Sequence, residues 1–131
     1  MSDTVYEIIY RSHISEDMDR DAISDLMTKS ILNNAASGIT GCLLICDRCF
    51  FQILEGTEKK VKSLFNKIKD DHRHEGVDLI SESTRFRLFD NWGMAFAADT
   101  PEELKKLIKS ESLDQDDLDA IRTQTVRLIE A

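Results

Sequence analysis

The sequence predicts an α+β domain of the ferredoxin-like type: a βαββαββ sheet with two helices on one face, followed by a C-terminal two-helix cap. Three observations carry this expectation. Two almost continuously apolar runs, 39–46 and 49–55, are joined by Asp47-Arg48 alone, the pattern of a hairpin inside a covered sheet. A stretch of helical periodicity lies on each side of that hairpin. One β-branched, aromatic segment precedes the first helix, and two extended segments follow the second. Strand, crossover helix, hairpin, helix and strand is the ferredoxin-like order, and right-handed crossovers put both helices on one face.

The first strand is 4–12, Thr-Val-Tyr-Glu-Ile-Ile-Tyr-Arg-Ser. Tyr6, Ile8 and Tyr10 share one face, with Tyr10 near the strand end. Residues 13–17 read as polar loop and about 18–34 as a helix. Its inner stripe is Ile23, Leu26, Met27 and Ile31, and Asn33 and Asn34 continue that stripe seven residues after Leu26 and Met27. One asparagine suits a helix terminus; two facing inward imply a polar object beneath them. In the second hairpin strand, Phe50, Gln52 and Leu54 share a face opposite Phe51, Ile53 and Glu55. A buried Gln52 amide needs partners or costs about 1–3 kcal/mol. A core glutamine satisfied by backbone or water meets that need as well as a ligand does.

The second helix spans about 58–71, with Val61, Leu64, Phe65 and Ile68 at i, i+3, i+4, i+7 and Lys67 and Asp71 at the edge of the stripe. Residues 77–84 form a fourth extended segment and 92–97 a short fifth strand, with Trp92, Met94 and Phe96 on one face. Thr100-Pro101-Glu102-Glu103 reads as a capping box, which Ser112 and Gln115 repeat, so the tail is two helices. Leu104, Leu107 and Ile108 line the first, and Leu118, Ile121, Thr125 and Leu128 the second. In this topology the first strand and the second hairpin strand are expected as parallel central neighbours. Tyr10, Gln52, Asn33, Asn34, Lys67 and Asp71 then converge on a groove between the two main helices. Such a groove suits a flat heterocycle with a hydroxylated tail.

At 131 residues, 41 % hydrophobic and 32 % charged, the chain is long enough for one core. Its net charge of −8 argues against nucleic acid as the main partner. No apolar run nears the roughly 20 residues that span a bilayer, and no secretory signal opens the chain. A cytoplasmic protein that binds neither membrane nor nucleic acid is expected. Cys42, Cys46 and Cys49 have the C-x3-C-x2-C spacing of an iron–sulfur motif, but they sit in or beside apolar strands and read as buried thiols. His72 and His74 lack a third ligand, so no metal is expected.

Taken as a set, Tyr10-Arg11-Ser12, Asn34, Gly38-Ile39-Thr40-Gly41, Phe50-Phe51-Gln52, Leu54-Glu55-Gly56, Asp71-His72-Arg73-His74 and Trp92-Gly93-Met94 resemble the BLUF domains, blue-light sensors using FAD. The resemblance covers about residues 3–97. It implies a non-covalent flavin, FAD with FMN or riboflavin as alternatives, lying between the first two helices. It implies that Tyr10 gives an electron and a proton, and that Gln52 links the tyrosine to the flavin. Asn34 would hold the ring edge, with Asn33, Lys67, Asp71, Arg73 and His74 as further cofactor contacts. Trp92 and Met94 would report the state of Gln52. The implied result is a reversible, red-shifted signalling state, passed to an unidentified signalling protein by a sensor that is not itself an enzyme.

Residues 1–98 are expected as the flavin-binding domain and 99–131 as a helical cap or interface. A sheet with both main helices on one face leaves the other to be covered by this tail or by a second copy, so a homodimer or higher homo-oligomer is expected. The alternatives are a non-photoactive flavin- or ligand-binding module and a structural interaction domain on the same scaffold. An absorption spectrum before and after blue light separates the three.

Overall fold

The structure, a computed structural model, describes residues 4–71, 74–89, 95–97 and 100–130; at some of these, including Met27, Ile31, His74 and 95–97, it describes the backbone alone. The order is β1 (Thr4–Ile14), α1 (Arg20–Ser37), β2 (Thr40–Cys46), β3 (Cys49–Gly56), α2 (Glu58–Asp70), β4 (His74–Phe86), β5 (Ala95–Ala97), α3 (Glu102–Ile108) and α4 (Gln115–Glu130). The strands form one sheet in the order β4-β1-β3-β2-β5. This is the expected βαββαββ ferredoxin-like arrangement with a two-helix tail.

The hairpin turns where its residues require. Asp47 and Arg48 both have positive φ, 47° and 67°, the conformation whose twist matches a two-residue hairpin loop. Thr57 begins α2 by accepting the Lys60 N–H on its hydroxyl, and Asp19 does the same for Ala22 at the start of α1. Helix α1 does not stop at Asn34 as expected. It runs to Ser37 and ends at Gly38, φ 71°, with the Ile39 N–H returning 2.9 Å to the Asn34 carbonyl. That is a Schellman ending, made by a glycine and not by an asparagine side chain.

Two further expectations are corrected. Strands β1 and β3 are central neighbours, but they run antiparallel. The crossover through α1 leaves a gap beside β1, and the hairpin fills it with a reversed strand. At the far edge of the sheet β5 pairs with β2 in parallel. Neither tail helix uses the capping box read from the sequence. The Thr100 hydroxyl donates to the Ile45 carbonyl, tying the tail to β2, and α4 is capped by Asp114 and Asp117, each accepting the other's backbone N–H.

Alternation along the strands divides the core in two. On one face Ile8, Tyr10, Phe50 and Leu54 pack with Leu26 of α1 and with Val61 and Phe65 of α2. On the other, Ile9, Leu44, Phe51 and Ile53 pack with Leu104, Ile108, Leu118 and Ile121 of the tail. The tail therefore covers the face that the two main helices leave open. Two arginine anchors hold it there. Arg11 donates from Nη1 to the carbonyls of Ile108 (2.9 Å) and Ser110 (2.6 Å). Arg122 of α4 reaches Glu7 of β1 through both Nε (3.2 Å) and Nη2 (2.7 Å), with both side chains buried.

Candidate functional site

The site begins as a pair of cross-strand neighbours. Tyr10 and Gln52 are register partners on β1 and β3, and Leu43 of β2 is the partner of Gln52 on its other side. Tyr10 is not at a strand end, because β1 continues to Ile14; a register shift against β4 falls between Ile9 and Tyr10. The Tyr10 hydroxyl donates to Gln52 Oε1, and both side chains are buried. The ring of Phe65 stands 5.4 Å from that of Tyr10, tilted by 51°.

Above this pair, α1 and α2 enclose a cavity of about 280 Å³. Leu26, Leu43, Leu64 and Ile68 supply apolar walls, and Tyr10, Asn33, Asn34, Gln52, Lys67 and Asp71 supply polar groups. An adjoining recess of about 630 Å³ shares Asn33, Asn34, Leu64 and Lys67 and adds Lys59, Lys60 and Ser63. Cavities of this size with few, convergent polar groups are ligand sites. The six groove residues expected from the sequence are thus brought together. The two asparagines differ, however. Asn34 is buried, whereas Asn33 is exposed at the rim, because adjacent helix residues point about 100° apart.

The electrostatics suit a neutral phenol beside a ligand. Burial, and secondarily the Asp71 carboxylate, push the Tyr10 hydroxyl far above its ordinary value. Asn34 Nδ2 is buried in the cavity wall with no hydrogen-bond partner among the described residues. An orphaned buried amide costs about 1–3 kcal/mol, and a ligand carbonyl would remove that penalty. A flavin ring has flat apolar faces and an edge of carbonyls and ring nitrogens, so the apolar walls, Asn34 and Gln52 fit it.

Arg73, Trp92 and Met94 lie outside the described residues, and of His74 only the backbone is described. Other lining residues were not singled out from the sequence. Lys29 stands four residues before Asn33, a helical spacing that puts both on one face. Leu43 was hidden in a continuous apolar strand, and only its pairing with Gln52 reveals it. Lys59 and Lys60 carry no sequence signal that separates them from solvated charges at a helix start.

A ferredoxin-like domain with an amide-edged, apolar slot between its two main helices is a binding domain for a flat heterocycle. The defining pattern of the BLUF family, described as sensors of blue-light using FAD, matches residues 5–95, and the chain belongs to that family. It is a flavin-binding blue-light sensor domain. It is 38 % identical over 88 residues to the blue light- and temperature-regulated antirepressor BluF of Escherichia coli (strain K12), covering 66 % of this chain and 22 % of that protein. The chain thus spans under a quarter of that relative's length. It is also similar to the photo-activated state of BlsA, with a TM-score of 0.79 and 25 % identity over 93 % of this chain and 94 % of that one. The dark-state structure of the BLUF protein BlrB shares its fold, with a TM-score of 0.84 and 23 % identity over 98 % of this chain and 99 % of that one.

Proposed function

We propose that this chain is a photoswitch in which Tyr10 is the electron and proton donor and Gln52 the relay. The observation that carries the reading is the buried Tyr10–Gln52 hydrogen bond at the base of the cavity, beside Asn34, whose Nδ2 has no partner among the described residues. When bound, flavin supplies a blue-light-excited acceptor for one electron and one proton. Tyr10 can give both because its phenol is neutral and its hydroxyl already donates a hydrogen bond to Gln52 Oε1. After charge returns, Gln52 stays rotated or tautomerised, with a changed set of partners. A buried amide with two partner sets is a two-state element, and light shifts its population.

Asn34 binds the ring edge, and Asn33, Lys67, Asp71, Arg73 and His74 contact the ring or its chain. Trp92 and Met94 respond to the state of Gln52. The cations Lys59, Lys60 and Lys67 around the outer recess favour a phosphate-bearing tail, hence FAD or FMN over riboflavin. Residues 1–98 act as the sensor and 99–131 as its cap and interface, a division supported by the packing of α3 and α4 against the far face of the sheet. The output goes to a separate signalling protein, with no catalytic step in this chain. The setting is cytoplasmic; among the described residues no helix is long and apolar enough to cross a membrane. Self-association into a homodimer or higher oligomer is supported by Phe86 and Leu79, exposed at 65 % and 42 % on β4.

The test is an absorption spectrum of the purified protein before and after blue light. A small red shift that reverts in the dark is expected. A yellow protein with no shift would make this a non-photoactive flavin module, and a colourless one purified with flavin supplied would make it an interaction domain.

A further inference from the structure

Three register positions from Tyr10 and Gln52, on the opposite face of the same two strands, stand Glu7 and Glu55. Both are fully buried carboxylates. Glu7 is matched by Arg122, which accounts for it as an anchor of α4. Among the described residues, Glu55 forms no ion pair and is held by neutral donors. Its oxygens accept the backbone N–H of Leu88 (2.7 Å, on Oε2), the backbone N–H of Phe89 (3.0 Å, on Oε1) and the Thr40 hydroxyl (2.9 Å, on Oε1). Arg87 in turn donates to Thr40 Oγ1 at 2.8 Å. One carboxylate thus joins β3, β2 and the connection that leaves β4. Charge-assisted bonds of this kind are about twice as strong as neutral ones.

This arrangement is kept against a cost. Burial raises the Glu55 carboxyl above its ordinary range, outweighing the lowering by its three donors, and the Glu7 carboxylate adds to the rise. A residue held where a less demanding one would fit is characteristic of a functional position. The stretch it holds leads directly into residues 90–94, which carry Trp92 and Met94. We propose that Glu55 is a positioning residue of the light switch, its carboxylate fixing the backbone of Leu88 and Phe89 to the strand that carries Gln52 and so setting the lifetime of the lit state. This rests on the photoswitch reading given above.

The physical argument is one of freedom. Gln52 changes partners on one face of β3, three residues from a carboxylate that fixes the connection on the other face. While two successive amides are held, the chain that follows is restrained where it begins. Releasing one amide lowers the barrier to the return.

Glu55→Gln tests this with little change of shape. Its single oxygen can accept one of the two amides, while its NH2 group faces the other as a second donor. Flavin content and red shift should be retained. Dark recovery should be about tenfold faster, equivalent to about 1.4 kcal/mol. Hydrogen exchange in the dark should accelerate at Leu88 or Phe89, a readout that needs no photochemistry. In the wild type, recovery should quicken as the pH falls and Glu55 is protonated, and this dependence should vanish in Glu55→Gln. Among the described residues, Glu7 of β1 acts on this carboxylate directly, Arg122 of α4 and Arg85 of β4 pair with Glu7, and Arg87 bonds Thr40.

Thr40→Val provides a second arm. It removes one donor to the carboxylate but leaves both amide bonds, so the pH dependence should move upward while recovery at high pH is unchanged. Unchanged recovery, pH profile and amide exchange in Glu55→Gln, beside a normal wild-type red shift, would overturn this inference alone. A wild type without any red shift would overturn the photoswitch reading and the switch role of Glu55 together.

Discussion

Tyr10 and Gln52 face each other across the central strands β1 and β3, and the phenol of the first donates to the amide oxygen of the second inside the core. The pair is therefore set by backbone register and closed by a side-chain bond. Tyr10→Phe removes only the hydroxyl. Flavin should still bind, and the red shift should vanish because the donor is lost. Gln52→Leu removes the relay instead, and the shift should vanish while flavin emission changes. Ultrafast absorption separates the cases: tyrosine oxidation can occur in Gln52→Leu but not at this position in Tyr10→Phe. A normal reversible shift in either variant would refute the assignment.

Asn34 should matter more to the loaded protein than to the empty one. Its Nδ2 has no partner among the described residues, so Asn34→Ala removes an unsatisfied buried donor from the flavin-free fold. Thermal stability without flavin should be unchanged or slightly higher. Flavin affinity should fall by about 5- to 150-fold, the equivalent of about 1–3 kcal/mol. Titration with flavin and melting of the flavin-free protein check the two halves independently.

Arg122 and Glu7 form the buried ion pair between α4 and β1. Arg122→Leu leaves the Glu7 carboxylate buried without that partner, and removing one member of such a pair costs about 3–5 kcal/mol. Chemical denaturation should register the loss. The double variant Arg122→Leu with Glu7→Gln should recover much of it, because no uncompensated charge then remains.

Both tyrosines of the chain should resist ionisation. Burial, aided by its hydrogen bond to Glu82, pushes the Tyr6 phenol up to about 12, and burial holds that of Tyr10 higher still. The native state then keeps protons that the unfolded chain releases near pH 10. Stability is unaffected below about pH 10 and falls as the pH rises above it, through the folded values. The tyrosinate absorbance band should stay absent until about pH 12 or until unfolding. Tyr6→Phe should weaken the alkaline loss without abolishing it.

The order of elements and the two faces of the sheet were legible in the sequence because they rest on local regularities. Alternation placed Phe50, Gln52 and Leu54 together, the spacing of Val61, Leu64, Phe65 and Ile68 marked the inner face of α2, and Asp47-Arg48 marked the turn. The groove residues were legible for the same reason, once two helices were placed on one face of the sheet. The motif set then named a family whose pattern matches residues 5–95.

What tertiary structure alone decided is of a different kind. That β1 and β3 are neighbours depends on which gap the returning hairpin fills; their antiparallel course then follows from the crossover and the hairpin together. The burial of Asn34 and exposure of Asn33 depend on the angle at which α1 meets the sheet. Thr100 was read as a helix cap, yet its hydroxyl found the Ile45 carbonyl, 55 positions away along the chain. Alternation put Glu55 on the face of Phe51 and Ile53 but named no partner for it or for Glu7. Their partners are Arg122, 115 positions from Glu7, and the amides of Leu88 and Phe89, 33 and 34 positions from Glu55. Periodicity reports what a residue's own segment demands of it, whereas the charge and hydrogen-bond balance of a buried group is settled by distant segments that only the folded chain brings within bonding reach.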